Sequence, residues 1–269
     1  MRLPSKPFAT QGGPVVLAHR GWRGLYPENT MLAFRKAAGL PIDGLEIDIH
    51  QTADSVLVVF HDATLERTTN GNGRVQDHTL AELQKLDAGY HFTSDGGKTF
   101  PFRGQGVTIP TLAEVFERFP NLWINIDMKQ ETPSLVQDFA DLIRHHNVAH
   151  RLCVGSFSNK TVADFRRACP EVGRTVSHAE TLRWFVLSKL RLDWLYWGQG
   201  QVLQIPEADE DSGYRLVTPR SVRAAHRNKM AVHVWTVNEA ADMQRLLDMG
   251  VDGLISDYPD RALRLLGRL

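Results

Sequence analysis

The chain has 269 residues, a length that barrel folds commonly fill as one domain. Hydrophobic residues at 42% and charged residues at 23% are typical of a globular protein with a sizeable core. Lys+Arg and Asp+Glu both total 31, and this balance argues against bulk attraction to nucleic acid or anionic lipid, although it permits local fields inside a cleft.

The chain begins with a stretch, residues 1–14, that is too polar and too broken by Pro and Gly for a signal sequence. No apolar run reaches the roughly 18 residues that a membrane span requires. The two cysteines, Cys153 and Cys169, fit neither a disulfide framework nor a zinc site and are expected to be buried thiols. These features predict a cytoplasmic enzyme, and they do not indicate an oligomeric state.

Short runs rich in Val, Ile and Leu alternate with amphipathic segments of helical period along the chain, which predicts βα units and a parallel sheet. The predicted strands are Val15–His19, Gly44–His50, Leu122–Met128, Leu152–Ser156, Gly173–Val176, Val202–Ile205, Ala231–Thr236 and Gly253–Ser256. The main helical patterns are Asn29–Ala38, Thr111–Phe119, Ser134–His145, Asn159–Ala168, Pro219–Arg227 and Ala240–Met249. Eight such strands predict an α/β fold, a single-domain (β/α)8 TIM barrel over residues 1–269.

Two pieces interrupt this alternation. Ser55–His61 follows the second strand too closely for a crossover helix, so we expect it to pair with that strand as a hairpin. Residues 63–108 then form a long excursion with one helical pattern, Leu80–Leu86. Because long irregular connections are uncommon unless they carry function, we expect an insertion that caps the barrel mouth.

Polar residues recur where the predicted strands end. Residues at the C-terminal ends of parallel barrel strands line one mouth, so we expect these side chains to converge on one site. They are His19, Arg20, Glu46, Asp48, His61, Asp127 and Lys129, with Ser156, Gln204, Trp235 and Asp257 in comparable positions.

Three of these side chains are carboxylates that project from neighbouring strands. Glu46, Asp48 and Asp127 would repel one another in a partly dry cavity, and a hard divalent cation removes that conflict. Oxygen ligands without thiolates suit Mg²⁺, Ca²⁺ or Mn²⁺ rather than zinc. The alternative is a purely structural ion network in which Glu46 pairs with Lys129 or Arg20.

Two histidines, His19 and His61, end strands beside charged neighbours. A single histidine there is often only a hydrogen-bonded core residue, but a pair can supply an acid and a base across one scissile bond. Arg20 and Lys129 add cationic groups that suit a phosphate. The residues alone therefore predict metal-assisted phosphoester cleavage.

The chain resembles the glycerophosphodiester phosphodiesterases in motifs that run in the expected order from about residue 15 to residue 262. These motifs include HRG at 19–21, PENT at 27–30, EIDIH at 46–50, FHD at 60–62, NIDMK at 125–129, VWTVN at 234–238 and GVDGLISDYPD at 250–260. The resemblance implies a hydrolase that splits glycerophosphodiesters into an alcohol and glycerol 3-phosphate.

The resemblance also implies roles for individual residues. His19 and His61 match the general acid and base, and Glu46, Asp48 and Asp127 match the ligands of one divalent cation, usually Ca²⁺ or Mg²⁺. The third acid of the family is usually Glu. The shorter Asp127 would lengthen one metal contact, insert a water or change the preferred ion.

Other positions carry weaker signals. Arg20 and Lys129 match residues that bind the phosphate, and Glu28 matches an acid that orients the first histidine or contacts the glycerol. From its own chemistry, Trp235 is either a flat face for the substrate or a core aromatic. The segment 180–200 is either an outer helix packed on the barrel or a basic, Trp-bearing helix at a lipid surface.

Three functions stay open at this point. The first is hydrolysis of small glycerophosphodiesters, and the second is a lysophospholipase D activity that releases lysophosphatidic acid from a single-chain lipid. The third is a binding module that holds such esters without turnover. The histidine pair argues against the third, because a pure binder needs no acid and base.

Overall fold

The structure is a computed structural model, and it describes residues 13–209 and 212–269. The expectation that the N-terminal stretch is not a signal sequence therefore lies almost entirely outside the described residues. Eight strands are parallel, and a ninth joins as a hairpin. They are β1 (Val15–His19), β2 (Gly44–Gln51), β3 (Leu57–Val59), β4 (Trp123–Met128), β5 (Leu152–Gly155), β6 (Gly173–Arg174), β7 (Val202–Pro206), β8 (Ala231–Trp235) and β9 (Gly253–Ser256).

The parallel strands follow the order β6-β5-β4-β2-β1-β9-β8-β7, and β3 pairs antiparallel with β2. The two ends of this path meet where Thr175 bridges Val202 in parallel. The sheet is therefore a nearly closed barrel, and the predicted TIM barrel and its hairpin are confirmed.

Helices cover the outside of the barrel in the described part of the chain. They are α1 (Met31–Ala38), α2 (Leu80–Leu83), α3 (Leu112–Arg118), α4 (Val136–His146), α5 (Asn159–Ala168), α6 (His178–Lys189), α7 (Pro219–Arg227), α8 (Ala240–Asp248) and α9 (Pro259–Leu265). Local chemistry explains several starts: the hydroxyls of Thr30, Ser158 and Ser177 accept hydrogen bonds from backbone N–H groups of the first turn.

The strands bury both faces, as parallel strands covered by helices do. Outward side chains pack with the helices in one large core, whereas an inner cluster that includes Val15, Leu17, Cys153 and Val202 fills the lower barrel. Because side chains alternate along a strand, the next inward position after Leu17 is His19. Apolar layers below thus support polar side chains at the mouth. Both cysteines are buried, as expected.

Three elements differ from the sequence prediction. β6 contains only two residues, and the predicted Leu80–Leu86 helix stops at Leu83. α9 was not predicted, although Pro259 in its first turn is a typical helix-start signal.

The insertion, residues 63–108, has a small hydrophobic cluster of its own, built with β3 from Val58, Leu65, Val75, Leu83 and Val107 among others. Its role as a cap over the whole mouth stays a prediction. Within the described ranges, no helix combines the length and apolar character that a membrane crossing requires.

Candidate active site

The strand register brings the predicted site residues together. His19 on β1 is the partner of Glu46 on β2, and Asp48 on β2 is the partner of Asp127 on β4. A cavity of about 460 Å³ opens above them. Its lining includes eight of the nine side chains proposed from the sequence: His19, Arg20, Glu46, Asp48, His61, Asp127, Lys129 and Trp235.

His19 is held by a carboxylate from the opposite end of the chain. Its Nδ1–H donates to Oδ1 of Asp257 at 2.6 Å, and Asn238 donates to the other oxygen of Asp257 at 2.9 Å. Nε2 is then the atom available for proton exchange, 3.8 Å from Glu46. Burial lowers the pKa of His19, and the bond to Asp257 opposes this only in part.

His61 has an equivalent arrangement with its sequence neighbour. Its Nδ1–H donates to Oδ1 of Asp62 at 2.6 Å, and the guanidinium of Arg67 binds the same carboxylate from within the insertion. Burial lowers the pKa of His61 as well. Both histidines can therefore be neutral near pH 7 and exchange protons.

A tight turn after β1 aims Arg20 into the site. Arg20 has a φ of 52° and is followed by Gly21 at 83°. A Cβ on Gly21 would lie 2.8 Å from the side chain of Ala33, so only glycine fits. Nη1 of Arg20 donates to Glu28 at 2.8 Å, and Nε lies 3.2 Å from Asp48.

Glu28 does not line the cavity but lies behind it, among three guanidinium groups. Arg67 binds it with two nitrogens at 2.9 and 2.7 Å, and Arg23 and Arg20 bind it at 2.9 and 2.8 Å. Burial alone would raise the pKa of Glu28, but these arginines hold it well below its usual range. The resemblance offered Glu28 as an acid that orients the first histidine or contacts the glycerol. Here Asp257 makes the contact with His19, and a contact of Glu28 with the glycerol stays a prediction.

The carboxylates share Lys129. Its ammonium lies 3.0 Å from Asp48 and 2.7 Å from Asp127, and Asn29 donates to Asp48 at 2.9 Å. Burial alone would raise the pKa of Asp48, but Lys129 and Arg20 hold it below its ordinary value.

The net pKa shift of the other two carboxylates is upward, opposite to that of Asp48. Burial and the charge of Asp48 raise the pKa of Glu46 well above its ordinary value, and burial also raises the pKa of Asp127. Glu46 accepts a hydrogen bond from the backbone N–H of Arg20 at 3.3 Å. Among these acids, Glu46 is the one whose negative charge is least compensated.

The donor set suits a hard cation, because all three candidate ligands are carboxylates on adjacent strands. Among the residues that the structure describes, however, no three His, Cys, Asp or Glu side chains surround a common point as metal ligands. The positive charge next to Asp48 and Asp127 comes instead from Lys129. The three carboxylates suit a divalent cation in chemistry and charge, but Lys129 bridges two of them and would have to yield some of its contacts.

The far wall of the cavity is polar at its floor and apolar at its rim. Asn125 and Gln204 join their side-chain amides across the barrel, with N–O distances of 3.3 and 2.8 Å. Trp235 contacts Phe157 edge to face, with ring centroids 6.2 Å apart. Beyond this rim the cavity continues into an apolar pocket of about 300 Å³ between α6 and a second wall formed by Ile205, Asp209, Ser212, Tyr214 and Leu216.

Sequence reasoning missed two functional contacts. Asn29 was not assigned a role at the site, but its side chain donates to Asp48, while Thr30 caps α1. Arg67 was not singled out, although it bonds both Glu28 and Asp62. Arg67 lies in the stretch LERTTNGNG, residues 65–73 of the insertion, which also resembles the family and was the available signal.

The chain is similar to known proteins over most of its length. The model of the "Glycerophosphoryl diester phosphodiesterase family" matches residues 19–261. The glycerophosphodiester phosphodiesterase of Caldanaerobacter subterraneus subsp. tengcongensis is 33% identical over 259 residues, covering 94% of this chain and 97% of that protein. Lysophospholipase D GDPD1 of Rattus norvegicus is 28% identical over 278 residues, covering 94% and 86%.

One solved structure adds a bound product. An Oleispira antarctica phosphodiesterase, OLEI02445, was solved in complex with sn-glycerol-3-phosphate. It superimposes on this chain with a TM-score of 0.73 at 26% identity, covering 95% of this chain and 97% of that one.

Proposed function

The chain belongs to the glycerophosphoryl diester phosphodiesterase family and is an enzyme, and we propose that it hydrolyses small glycerophosphodiesters to an alcohol and sn-glycerol 3-phosphate. One observation carries the proposal: His19 and His61 border the same cavity as Arg20 and Lys129. Two proton carriers and two phosphate-binding cations at one mouth are what phosphodiester cleavage needs. A cytoplasmic location stays a prediction.

The chain's own residues divide the chemistry between them. Arg20 binds a nonbridging phosphate oxygen and offsets the charge that develops in the transition state. One histidine accepts the proton of the attacking oxygen through Nε2, and the other protonates the leaving alkoxide. The attacking oxygen is either water or the neighbouring hydroxyl of the glycerol, which would give a cyclic phosphate that water then opens.

Glu46, Asp48 and Asp127 are proposed to hold one divalent cation, Ca²⁺ or Mg²⁺. The raised pKa values of Glu46 and Asp127 support this, because a cation there would relieve the repulsion between buried carboxylates. When bound, such an ion supplies Lewis-acid stabilisation of the phosphate charge.

The test is release of glycerol 3-phosphate from glycerophosphocholine, measured with chelator and after addition of Ca²⁺ or Mg²⁺. His19→Ala and His61→Ala are each expected to lower kcat by about 10² or more without changing the melting temperature. The exposed His150→Ala serves as the control. Near-normal activity in both site variants would refute the roles assigned to the two histidines. Full activity after chelation would refute the requirement for a divalent cation.

A lysophospholipase D activity is the second candidate, and the apolar pocket next to the cavity favours it. Phe185 and Leu182 line this pocket, which could receive an acyl chain. Phe185→Asp should then reduce turnover of lysophosphatidylcholine while turnover of glycerophosphocholine persists. Equal loss on both substrates would argue against acyl binding there.

A further inference from the structure

One face of α6 and of the turn that follows it leaves large apolar side chains in solvent. Leu182, Val186 and Leu190 recur every four residues, so they share one helix face, and they are 58%, 48% and 63% exposed. Trp194 and Trp197 follow and are 73% and 66% exposed. We call these five residues the apolar stripe. Contiguous exposed apolar surface of this kind marks an interaction site.

The barrel does not need the apolar stripe for its own packing. Trp184, on another face of α6, is buried in the main core, and Ser188 is buried as well. The helix is therefore already docked against its neighbours, and the apolar stripe is additional surface.

Positive charge accompanies the apolar stripe. Arg183 stacks its guanidinium 4.8 Å from the ring centre of Trp197, and Lys189 and Arg191 are exposed beside Leu190. Both carboxylates of residues 178–200, Glu180 and Asp193, are buried and paired with arginines from other elements. The exposed charge of this segment is therefore positive, although the whole chain is neutral.

This combination decides which partner fits. A second copy of the chain would oppose one set of cations with another, whereas an anionic phospholipid surface complements both the charge and the exposed tryptophans. The same helix also reaches the site, because His178 and Thr181 line the catalytic cavity.

We propose that the apolar stripe docks the protein on anionic phospholipid bilayers, with the cavity mouth beside the lipid. The enzyme would then meet phosphodiester substrates at or near that surface. Only this last consequence rests on the proposed function; the docking surface itself does not.

The experiment is flotation of the full chain with vesicles of phosphatidylcholine alone or of phosphatidylcholine with phosphatidylglycerol. The wild type should bind the anionic vesicles, with a blue shift of tryptophan fluorescence. Trp194→Ser/Trp197→Ser and Lys189→Glu/Arg191→Glu should each lower the partition coefficient by about tenfold or more.

Two control variants change exposed apolar or exposed cationic residues elsewhere on the surface, and both should bind like the wild type. They are Leu265→Ser/Leu269→Ser and Arg35→Glu/Lys36→Glu. Turnover of soluble glycerophosphocholine should be unchanged in all variants, which shows that they fold. If the tryptophan variant does not fold, Val186→Ser/Leu190→Ser replaces it.

Several results would overturn the docking proposal. One is an active wild type that does not bind anionic vesicles, and another is a set of stripe variants that bind like the wild type. The third is a wild-type dimer that binds no vesicles and that Trp194→Ser/Trp197→Ser converts to a monomer. Stripe-dependent binding by a protein that cleaves no glycerophosphodiester would instead refute the proposed function and leave the docking surface supported.

Discussion

Each site histidine is fixed by one carboxylate, and the two carboxylates come from different parts of the fold. Asp257 follows β9 and holds His19, whereas Asp62 adjoins His61 in the chain. In both pairs the Nδ1–H donates to the carboxylate, which sets the tautomer and the ring orientation. Replacing one carboxylate at a time can therefore show which histidine is the acid and which is the base.

Replacing Asp62 with Asn should move one limb of the pH profile of kcat/KM to lower pH. Burial already holds the pKa of His61 below 6.5, and loss of the charged hydrogen bond removes an opposing effect. If His61 is the base, the acidic limb moves; if it is the acid, the alkaline limb moves.

Asp257→Asn is the matched change at His19 and should move the other limb. Both shifts go to lower pH, so the two roles are assigned from which limb of the profile moves in each variant. If both limbs stay in place in both variants, the histidines do not act as the acid and base.

Arg67 of the insertion supports two site residues at once. It bonds Glu28, which holds Arg20, and Asp62, which holds His61. Arg67→Ala should lower kcat by about tenfold to a hundredfold, since small displacements of positioned groups are costly. Arg67→Lys keeps the charge but not the bidentate fork and should recover only part of the rate.

The control for Arg67 is Arg74→Ala, an exposed arginine of the same insertion. It should leave kcat and KM unchanged. An Arg67→Ala variant with wild-type kcat would show that the insertion does not position the site.

At the level of elements, α6 is fastened by a buried carboxylate at its first turn. Glu180 binds Arg166 with both oxygens at 3.0 and 2.7 Å and accepts from the backbone N–H groups of Ser177 and Gln199 at 2.9 and 2.7 Å. Burial alone would raise the pKa of Glu180, but these bonds lower it to about 2. This one side chain therefore ties α6 to α5 and to the loop before β7.

Glu180→Gln should lower the free energy of unfolding at pH 7 by about 2–3 kcal/mol, because it leaves a buried guanidinium without its counter-charge. Since the folded pKa is depressed, the stabilisation is complete above the ordinary value of 4.5 and is lost as the pH falls toward about 2. The difference in free energy of unfolding between wild type and variant should therefore decrease as the pH falls from 4.5 toward about 2.

Urea unfolding at pH 7, 4.5 and 3 measures this gap, and the exposed Glu117→Gln is the control. A gap of constant size from pH 7 to pH 3 would show that the ion pair contributes nothing to the pH dependence of stability.

The same elements show what the sequence could predict. Strand runs with polar ends identified β1, β2 and β4 and the side chains they aim at the mouth, because period-two alternation fixes which residues point inward. The contacts of Asn29 and Arg67 were not predictable, because each depends on a partner that the fold brings close from elsewhere. The short length of β6 was not predictable for the same reason, because pairing with strands from elsewhere in the barrel decides where it ends.

For the whole molecule, the barrel closes at a seam between β6 and β7, where an isolated bridge replaces a regular ladder. It is closed by bonds from the N–H of Gln201 to the carbonyl of Arg174 at 2.9 Å and from the N–H of Val176 to the carbonyl of Val202 at 2.8 Å. By contrast, β2 and β4 pair over six residues. Regions with few backbone bonds open with the lowest free energy, so this seam should exchange its amide hydrogens before the rest of the barrel.

Gly200→Ala tests the seam directly. A Cβ at this position would lie 2.4 Å from the Cα of Val176 and 2.7 Å from its nitrogen, and backbone atoms cannot rotate away. The variant should therefore lose about 1–3 kcal/mol of stability and exchange the amide hydrogens of residues 173–176 and 202–205 faster. Gly39→Ala, whose new Cβ would have its nearest neighbour at 3.4 Å, is the control. Uniform acceleration across all strands would mean instead that the barrel opens as one cooperative unit and that the seam has no separate stability.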